Sequence, residues 1–250
     1  MYELWVAGLG PGSPEHMTDA CRACLRNSEI IVGYTGYIDP LRPLLPDKIF
    51  HATGMTRERE RCLAALRFAR EGKKVCVVSS GDSGVYGMAG LLIELAADFP
   101  DVTVRVIPGV TAAVSGAALL GAPLANDFAV ISLSDLLTPW ETVEKRLRAA
   151  AAGDFAICLY NPGSRKRTGH LSAVCEILLE TLPPCRICGI TSHIGREGQK
   201  ILLTTLSALR GIQTGMSDTV FIGNSQTRNI GGKMVTLRGY GAVPEERTIG

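Results

Sequence analysis

Strand-like apolar runs that alternate with helix-length segments constrain this 250-residue chain more than any other feature. Leu4 to Ala7, Ile30 to Val32, Val75 to Val78 and Val102 to Ile107 are such runs, with helical stretches near 57–71 and 86–97 among them. Parallel strands need a crossover, and a helix that covers the sheet face supplies it, so the alternation predicts βα units and a mainly parallel sheet. The segment TRERERCLAALRFAREG puts Cys62, Leu63, Leu66 and Ala69 on one stripe, its charges on the other, and Gly72 where a helix would stop. A second series follows: Ala129 to Leu133, a helix around Val143 to Ala152, Phe155 to Tyr160, a helix near 170–181, Arg186 to Thr191 and Thr219 to Ile222. Gly121, Pro123, Asn126 and Asp127 separate the two series. The expectation is therefore an α/β chain of two α/β domains, 1–121 and 122–250, with mainly parallel and mixed sheets and an active-site cleft between them.

Charge and cysteine usage narrow the function classes. Lys and Arg number 26 against 24 Asp and Glu, so the net charge of +2 offers no field that would draw nucleic acid or an anionic membrane. A small ligand is the expected partner, with no nucleic acid and no membrane. No run of about 18 apolar residues occurs and MYELWVAG lacks the layout of a secretion signal, so the expected place is the cytoplasm. Of eight cysteines, Cys21/Cys24 and Cys185/Cys188 form C-x-x-C pairs, a spacing that can hold a metal or cycle as a redox couple. The first pair falls on an expected helix and the second on an expected strand, where odd spacing points the two thiols to opposite faces, which favours core packing. Histidines 16, 51, 170 and 193 are dispersed without metal-binding spacing, so no metal site is expected and His193 reads as a loop residue.

In open α/β folds, ligands lie beyond the carboxyl ends of the strands, so the residues that follow each strand carry the functional signal. After the first strand comes Gly8-Leu9-Gly10-Pro11-Gly12-Ser13-Pro14. A dinucleotide fingerprint needs G-x-G-x-x-G opening directly into a helix; here the third glycine is one residue early, Pro11 removes an amide donor, and Ser13-Pro14 reads as a capped helix start. Ile30-Ile31-Val32 then runs into Gly33-Tyr34, where a ribose-binding carboxylate would stand. After the Val75 strand comes Ser79-Ser80-Gly81-Asp82-Ser83-Gly84-Val85-Tyr86-Gly87, which has no lysine and so is no P-loop. Asp82 suits an amine or hydroxyl better than a phosphate, or serves only as a helix cap. Later strand ends carry Pro108-Gly109-Val110-Thr111-Ala112, Ser132-Leu133-Ser134-Asp135, Tyr160-Asn161-Pro162 and Thr191-Ser192-His193, without an evident catalytic triad.

These pieces in this order resemble the tetrapyrrole methyltransferases of the cobalamin pathway, whose fold is that of the class III S-adenosylmethionine-dependent methyltransferases. The family pattern of G-x-G-P-G-[DS]-P, G-D-[PS], P-G-[VI]-T-A and G-x-P-L appears as Gly8 to Pro14, Gly81 to Ser83, Pro108 to Ala112 and Gly121 to Leu124. Segments 132–140 (SLSDLLTPW) and 160–167 (YNPGSRKR) are similar to the ring-contracting subgroup that methylates carbon 17 of precorrin-3B, and Ser83 stands where many relatives carry proline.

The resemblance implies S-adenosylmethionine held between two domains, with S-adenosylhomocysteine as product. It places Pro11, Ser80, Gly81, Asp82 and Val85 along the cofactor, Thr111 and Ala112 over it, and Asn161, Thr191 and Ile222 around its adenine. It further implies a precorrin-type tetrapyrrole substrate and a homodimer. Ring contraction moves a proton at a tertiary alcohol, for which Asp135 is the expected base with Ser134 and Ser132 positioning; a bland alternative makes Ser134-Asp135 a turn cap. Ser132, Tyr160 and Arg165 are expected on the substrate, the last against its carboxylates. The metal-free or cobalt-bound acceptor is left open, as are another precorrin position and a non-catalytic adenosyl-ligand sensor.

Overall fold

The computed structural model describes residues 1–164 and 168–240. Two compact units divide the chain, one of Met1–Ala112 and a second that begins at Ala113. Five strands of the first unit, β1 (Tyr2–Gly8), β2 (Ile30–Tyr34), β3 (Ile49–Thr53), β4 (Val75–Ser79) and β5 (Val102–Ile107), form one sheet in the order β3-β2-β4-β1-β5. All pair in parallel. Helices α1 (Asp19–Asn27), α2 (Thr35–Ile38), α3 (Glu58–Arg70) and α4 (Ala89–Ala96) fall between the strands.

Strand alternation sorts the core onto two faces. Leu4, Val6, Val32, Val75 and Val77 pack with Cys62 and Leu66 of α3 and Leu92 of α4. Ala7, Ile31, Cys76 and Val78 pack on the other face with Cys21, Cys24 and Leu25 of α1. Because both faces are covered, these strands read as nearly continuous apolar runs. The exception is the edge strand β3, IFHAT, whose mixed composition hid it from periodicity.

The helix expected at Ser13-Pro14 begins later. Pro14–His16 form a single 3₁₀ turn, and α1 starts at Asp19 under Thr18, whose hydroxyl accepts the Cys21 amide at 3.1 Å. Ser13 instead bonds His16 Nδ1 at 3.0 Å. Proline set the chain direction, but the capping hydroxyl lay four residues on.

The second unit contains α5 (Ala112–Leu120, from its second residue on), β6 (Gly121–Ala122), β7 (Phe128–Ser132), α6 (Trp140–Ala152), β8 (Ala156–Tyr160), α7 (His170–Leu179), β9 (Ile187–Ser192), β10 (Lys200–Thr205), α8 (Leu206–Leu209), β11 (Asp218–Ile222), β12 (Thr227–Ile230) and β13 (Lys233–Thr236). Its main sheet runs β10-β9-β11-β8-β7, and a small sheet β12-β13-β6 accompanies it. Strands β7 and β8 are parallel, whereas β11 runs antiparallel to both β8 and β9.

The expected linker at 121–127 is partly strand: Gly121 and Ala122 pair with Met234 and Val235. Helix α5 belongs with the second unit because a Cβ on Gly116 would lie 2.7 Å from Thr191 Oγ1 and 2.9 Å from the Phe221 ring. No helix among the described residues is long and apolar enough to cross a membrane.

Burial decides the cysteine chemistry. Taking a thiolate out of water pushes Cys21 and Cys175 up to about 12 and Cys62 up to about 11. Cys185 is exposed while Cys188 is buried, so the C-x-x-C spacing does not present two thiols together. At pH 8 we expect a maleimide to label Cys185 rapidly and the other seven only in denaturant; rapid labelling of three or more thiols in the native protein would overturn this burial pattern.

Candidate functional site

All five strands of the first unit point the same way, so their carboxyl ends share one edge. Chain leaving β1 crosses to β2 on one side, and chain leaving β4 crosses to β5 on the other. The loops after the adjacent strands β1 and β4 therefore open at the topological switch point, where ligands of such sheets bind.

Three loops meet there backbone to backbone. Leu9 N donates to Ser79 O at 2.8 Å, and Gly10 and Gly81 exchange two amide hydrogen bonds of 3.0 and 2.8 Å. Both of these glycines have positive φ, +77° and +65°. A Cβ on Gly8 would lie 2.5 Å from Gly81 O and 2.9 Å from Gly109 Cα, and one on Gly109 would collide with Gly81 O. The G-x-G, G-D and P-G pieces are thus glycines where each backbone occupies the space a side chain would fill.

Asp82 clamps this stack. Its Oδ1 accepts the Gly84 amide at 2.7 Å and its Oδ2 the Gly109 amide at 2.8 Å, tying the loop after β4 to the loop after β5. It caps no helix, and its observed bonds make it a brace. Buried Ser83 lies under it, with Oγ within 3.2 Å of Ile107 O and 3.4 Å of Val6 O. Proline would lack that donor. Ser83→Ala should lower stability by about 1 kcal/mol and Ser83→Pro by more, measured by chemical denaturation.

Pro11 is buried, and Val85, Thr111 and Ala112 are half-buried. A Cβ on Gly81 would sit 3.6 Å from Thr111 Cα and 3.8 Å from Ala112 N, so the expected residues of this unit gather around one glycine loop. Segments 8–18, 79–88 and 108–112 contain no lysine or arginine. Hydroxyls, backbone groups and an apolar proline fit an adenosyl ligand without phosphate, and S-adenosylmethionine is such a ligand.

In the second unit the shared edge holds the ends of β7, β8 and β9. Asn161, left-handed at φ +53°, donates from Nδ2 to Ser132 Oγ at 2.9 Å, and Ser132 Oγ also accepts the Ser134 amide at 3.2 Å. The Tyr160 hydroxyl accepts the Ala113 amide at 2.6 Å, in the first turn of α5. Ser132, Ser134 and Asn161 are thereby knit together, with Tyr160 beside them in the chain.

Of the other two expected adenine neighbours, Thr191 precedes Ser192 at the end of β9 and Ile222 ends β11. Thr191 is fully buried, its hydroxyl directed at Thr219 O at 3.5 Å. Ile222 is 1% exposed and pairs with Ile157 and Cys188 at the opposite edge, because β11 runs antiparallel. The residue that β11 brings level with Ser192 is Asp218. Arg165 lies outside the described residues.

Asp135 has a partner that sequence reasoning passed over. Its Oδ2 is 3.2 Å from His170 Nε2, and the His170 ring meets Trp140 edge-on at 5.0 Å. The histidine stands 35 positions away in the chain, so spacing gave no signal.

A parallel unit whose glycine-rich switch point carries no lysine or arginine is thus joined in sequence to a mixed unit with polar strand ends. The sequence pattern of the Tetrapyrrole (Corrin/Porphyrin) Methylases matches residues 3–210, and the chain belongs to that family. It is 46% identical over 238 residues to a probable cobalt-factor III C(17)-methyltransferase of Salmonella typhimurium, covering 95% of this chain and 99% of that one. It is 42% identical to a cobalt-factor III methyltransferase of Priestia megaterium, of which it spans 45%. The crystal structure of the methyltransferase CobJ matches with a TM-score of 0.88 at 39% identity, over 95% of this chain and all of that one.

Proposed function

We propose that the protein methylates carbon 17 of a precorrin-3-level macrocycle and contracts its ring. The observation that carries this is the 46% identity over 99% of the Salmonella C(17)-methyltransferase. S-adenosylmethionine supplies, when bound, a methyl group on a sulfonium whose departure needs no protein nucleophile. What the chain contributes is placement, which accounts for the bulk of catalysis in such a displacement.

In this reading the loops around Gly10, Gly81 and Gly109 hold the methyl donor through backbone groups. Thr111 and Ala112 line it, and Pro11 stiffens the wall. Ser132 and Ser134 orient the acceptor, and Asn161, expected at the adenine, is bonded to Ser132 and so links the two binding regions. Two acceptors fit: metal-free precorrin-3B with its tertiary alcohol and lactone, and cobalt-factor III, the compound in the names of the Salmonella and Priestia relatives. Those names favour the cobalt-bound form. The resemblance also carries a homodimer in the cytoplasm, for which light scattering tests the stoichiometry.

Incubating the protein with S-adenosylmethionine and each acceptor, followed by mass and absorbance, tests the reading. We expect the acceptor to gain one methyl group and its absorbance to change as the conjugated ring contracts. Methylation of neither acceptor sinks it.

A further inference from the structure

We infer that His170 is the group that takes up the proton when the acceptor ring contracts, and that Asp135 is the residue that holds its imidazole for the task. The inference rests on the reading above with the alcohol-bearing precorrin-3B as acceptor, and moves the base from the carboxylate to the histidine.

Geometry carries it. The loop after β7 supplies Asp135 and the first turn of α7 supplies His170, so two separate elements bring a carboxylate and an imidazole to 3.2 Å. A carboxylate accepts only from a protonated ring nitrogen, so in the neutral imidazole this contact places the hydrogen on Nε2 and the lone pair on Nδ1. Nδ1 has no hydrogen-bond partner among the described residues. Trp140 fixes the ring from another side, at 85° between planes. This is the base-plus-orienter arrangement of general-base catalysis, here with the acceptor in place of a protein nucleophile.

The neighbourhood suits a flat macrocycle. Leu136 and Leu137, directly after Asp135, are 74% and 98% exposed, an apolar surface on the loop that carries the carboxylate. Ser132 and Ser134 adjoin it in the chain, and Asn161 is bonded to Ser132.

The step balances without a further reactant. The alcohol O–H bond breaks, Nδ1 gains the proton, and the bond pair stays on oxygen to become the second carbon–oxygen bond of a carbonyl. The ring carbon attached to the alcohol carbon migrates with its own pair to the adjacent carbon. The lactone carbon–oxygen bond at that carbon breaks, and its pair leaves on the carboxylate. The imidazolium, stabilised by Asp135, then returns its proton to the carboxylate or to water.

The test is single-turnover assay of wild type, His170→Gln, His170→Ala and Asp135→Asn on alcohol-bearing precorrin-3B, with S-adenosylhomocysteine binding and thermal melting measured beside it. Glutamine keeps a donor for Asp135 but takes no proton. We expect His170→Gln to bind S-adenosylhomocysteine and melt as wild type does, yet to slow contraction by about 100-fold or more in single turnover, with KM unchanged in a parallel steady-state assay. Added imidazole should restore contraction in His170→Ala at least in part, a recovery that a structural histidine would not show. Asp135→Asn should slow contraction less than His170→Gln. Contraction at the parental rate in His170→Gln, or a loss confined to KM, overturns the inference while the methylation reading stands. A wild-type enzyme that contracts only an acceptor without the alcohol overturns the step; one that methylates no acceptor overturns the reading as well.

Discussion

Gly109→Ala is expected to remove S-adenosylhomocysteine binding and to destabilise the first unit by about 3 kcal/mol. The new methyl group would fall on the Gly81 carbonyl and within 2.6 Å of Gly8 O, and neither neighbour is a side chain that can rotate away. Relief requires three strand-end loops to part, and those loops are the proposed cofactor wall. Gly90→Ala is the matched control. Its Cβ would meet nothing within 4 Å, and it lies in helix α4, so it should stabilise by about 0.5–1 kcal/mol. Calorimetric binding and urea denaturation of the two variants decide the matter; equal behaviour would mean that the glycine stack does not limit the fold.

Asp82→Ala is the second large effect, about 3 kcal/mol. It strips acceptors from the amides of Gly84 and Gly109 at once, and bonds to a charged acceptor each contribute about 1.5–3 kcal/mol. Asp82→Asn retains one acceptor oxygen and should lose about half as much. Binding should weaken in step with stability if the carboxylate acts as a brace. A variant as stable as the parent that no longer binds S-adenosylhomocysteine would instead make Asp82 a ligand contact.

These residues also show where a sequence is informative. The glycines and prolines after β1, β4 and β5 were legible because each answers a local backbone demand that no other residue meets. Four of the five parallel strands of the first unit were legible as apolar runs, and the edge strand β3, with its mixed composition, was not. Strand direction was not: nothing in Thr219 to Ile222 says that β11 runs backward, and that reversal puts Ile222 level with Cys188 and Asp218 level with Ser192. Ser132 and Asn161 were found as strand-end residues, but their mutual bond depends on register between neighbouring strands. His170 was missed for the same reason, since a helix start and a loop 35 residues apart share no sequence signal.

The strand order has a consequence in time. β1 is made before both of its partners, β4, through Leu4↔Val75, and β5, through Tyr2↔Val102. At about 5–20 residues per second, roughly 5–20 s of synthesis separate Tyr2 from its neighbour on β5. Until β4 is made the run from Leu4 to Ala7 has both hydrogen-bonding edges open, and until β5 is made one of them, the condition under which nascent chains associate with one another. Yield of the protein should therefore depend on temperature and on chaperone supply more steeply than its final stability would suggest, and a cell that makes it must shelter β1 until β5 has been joined.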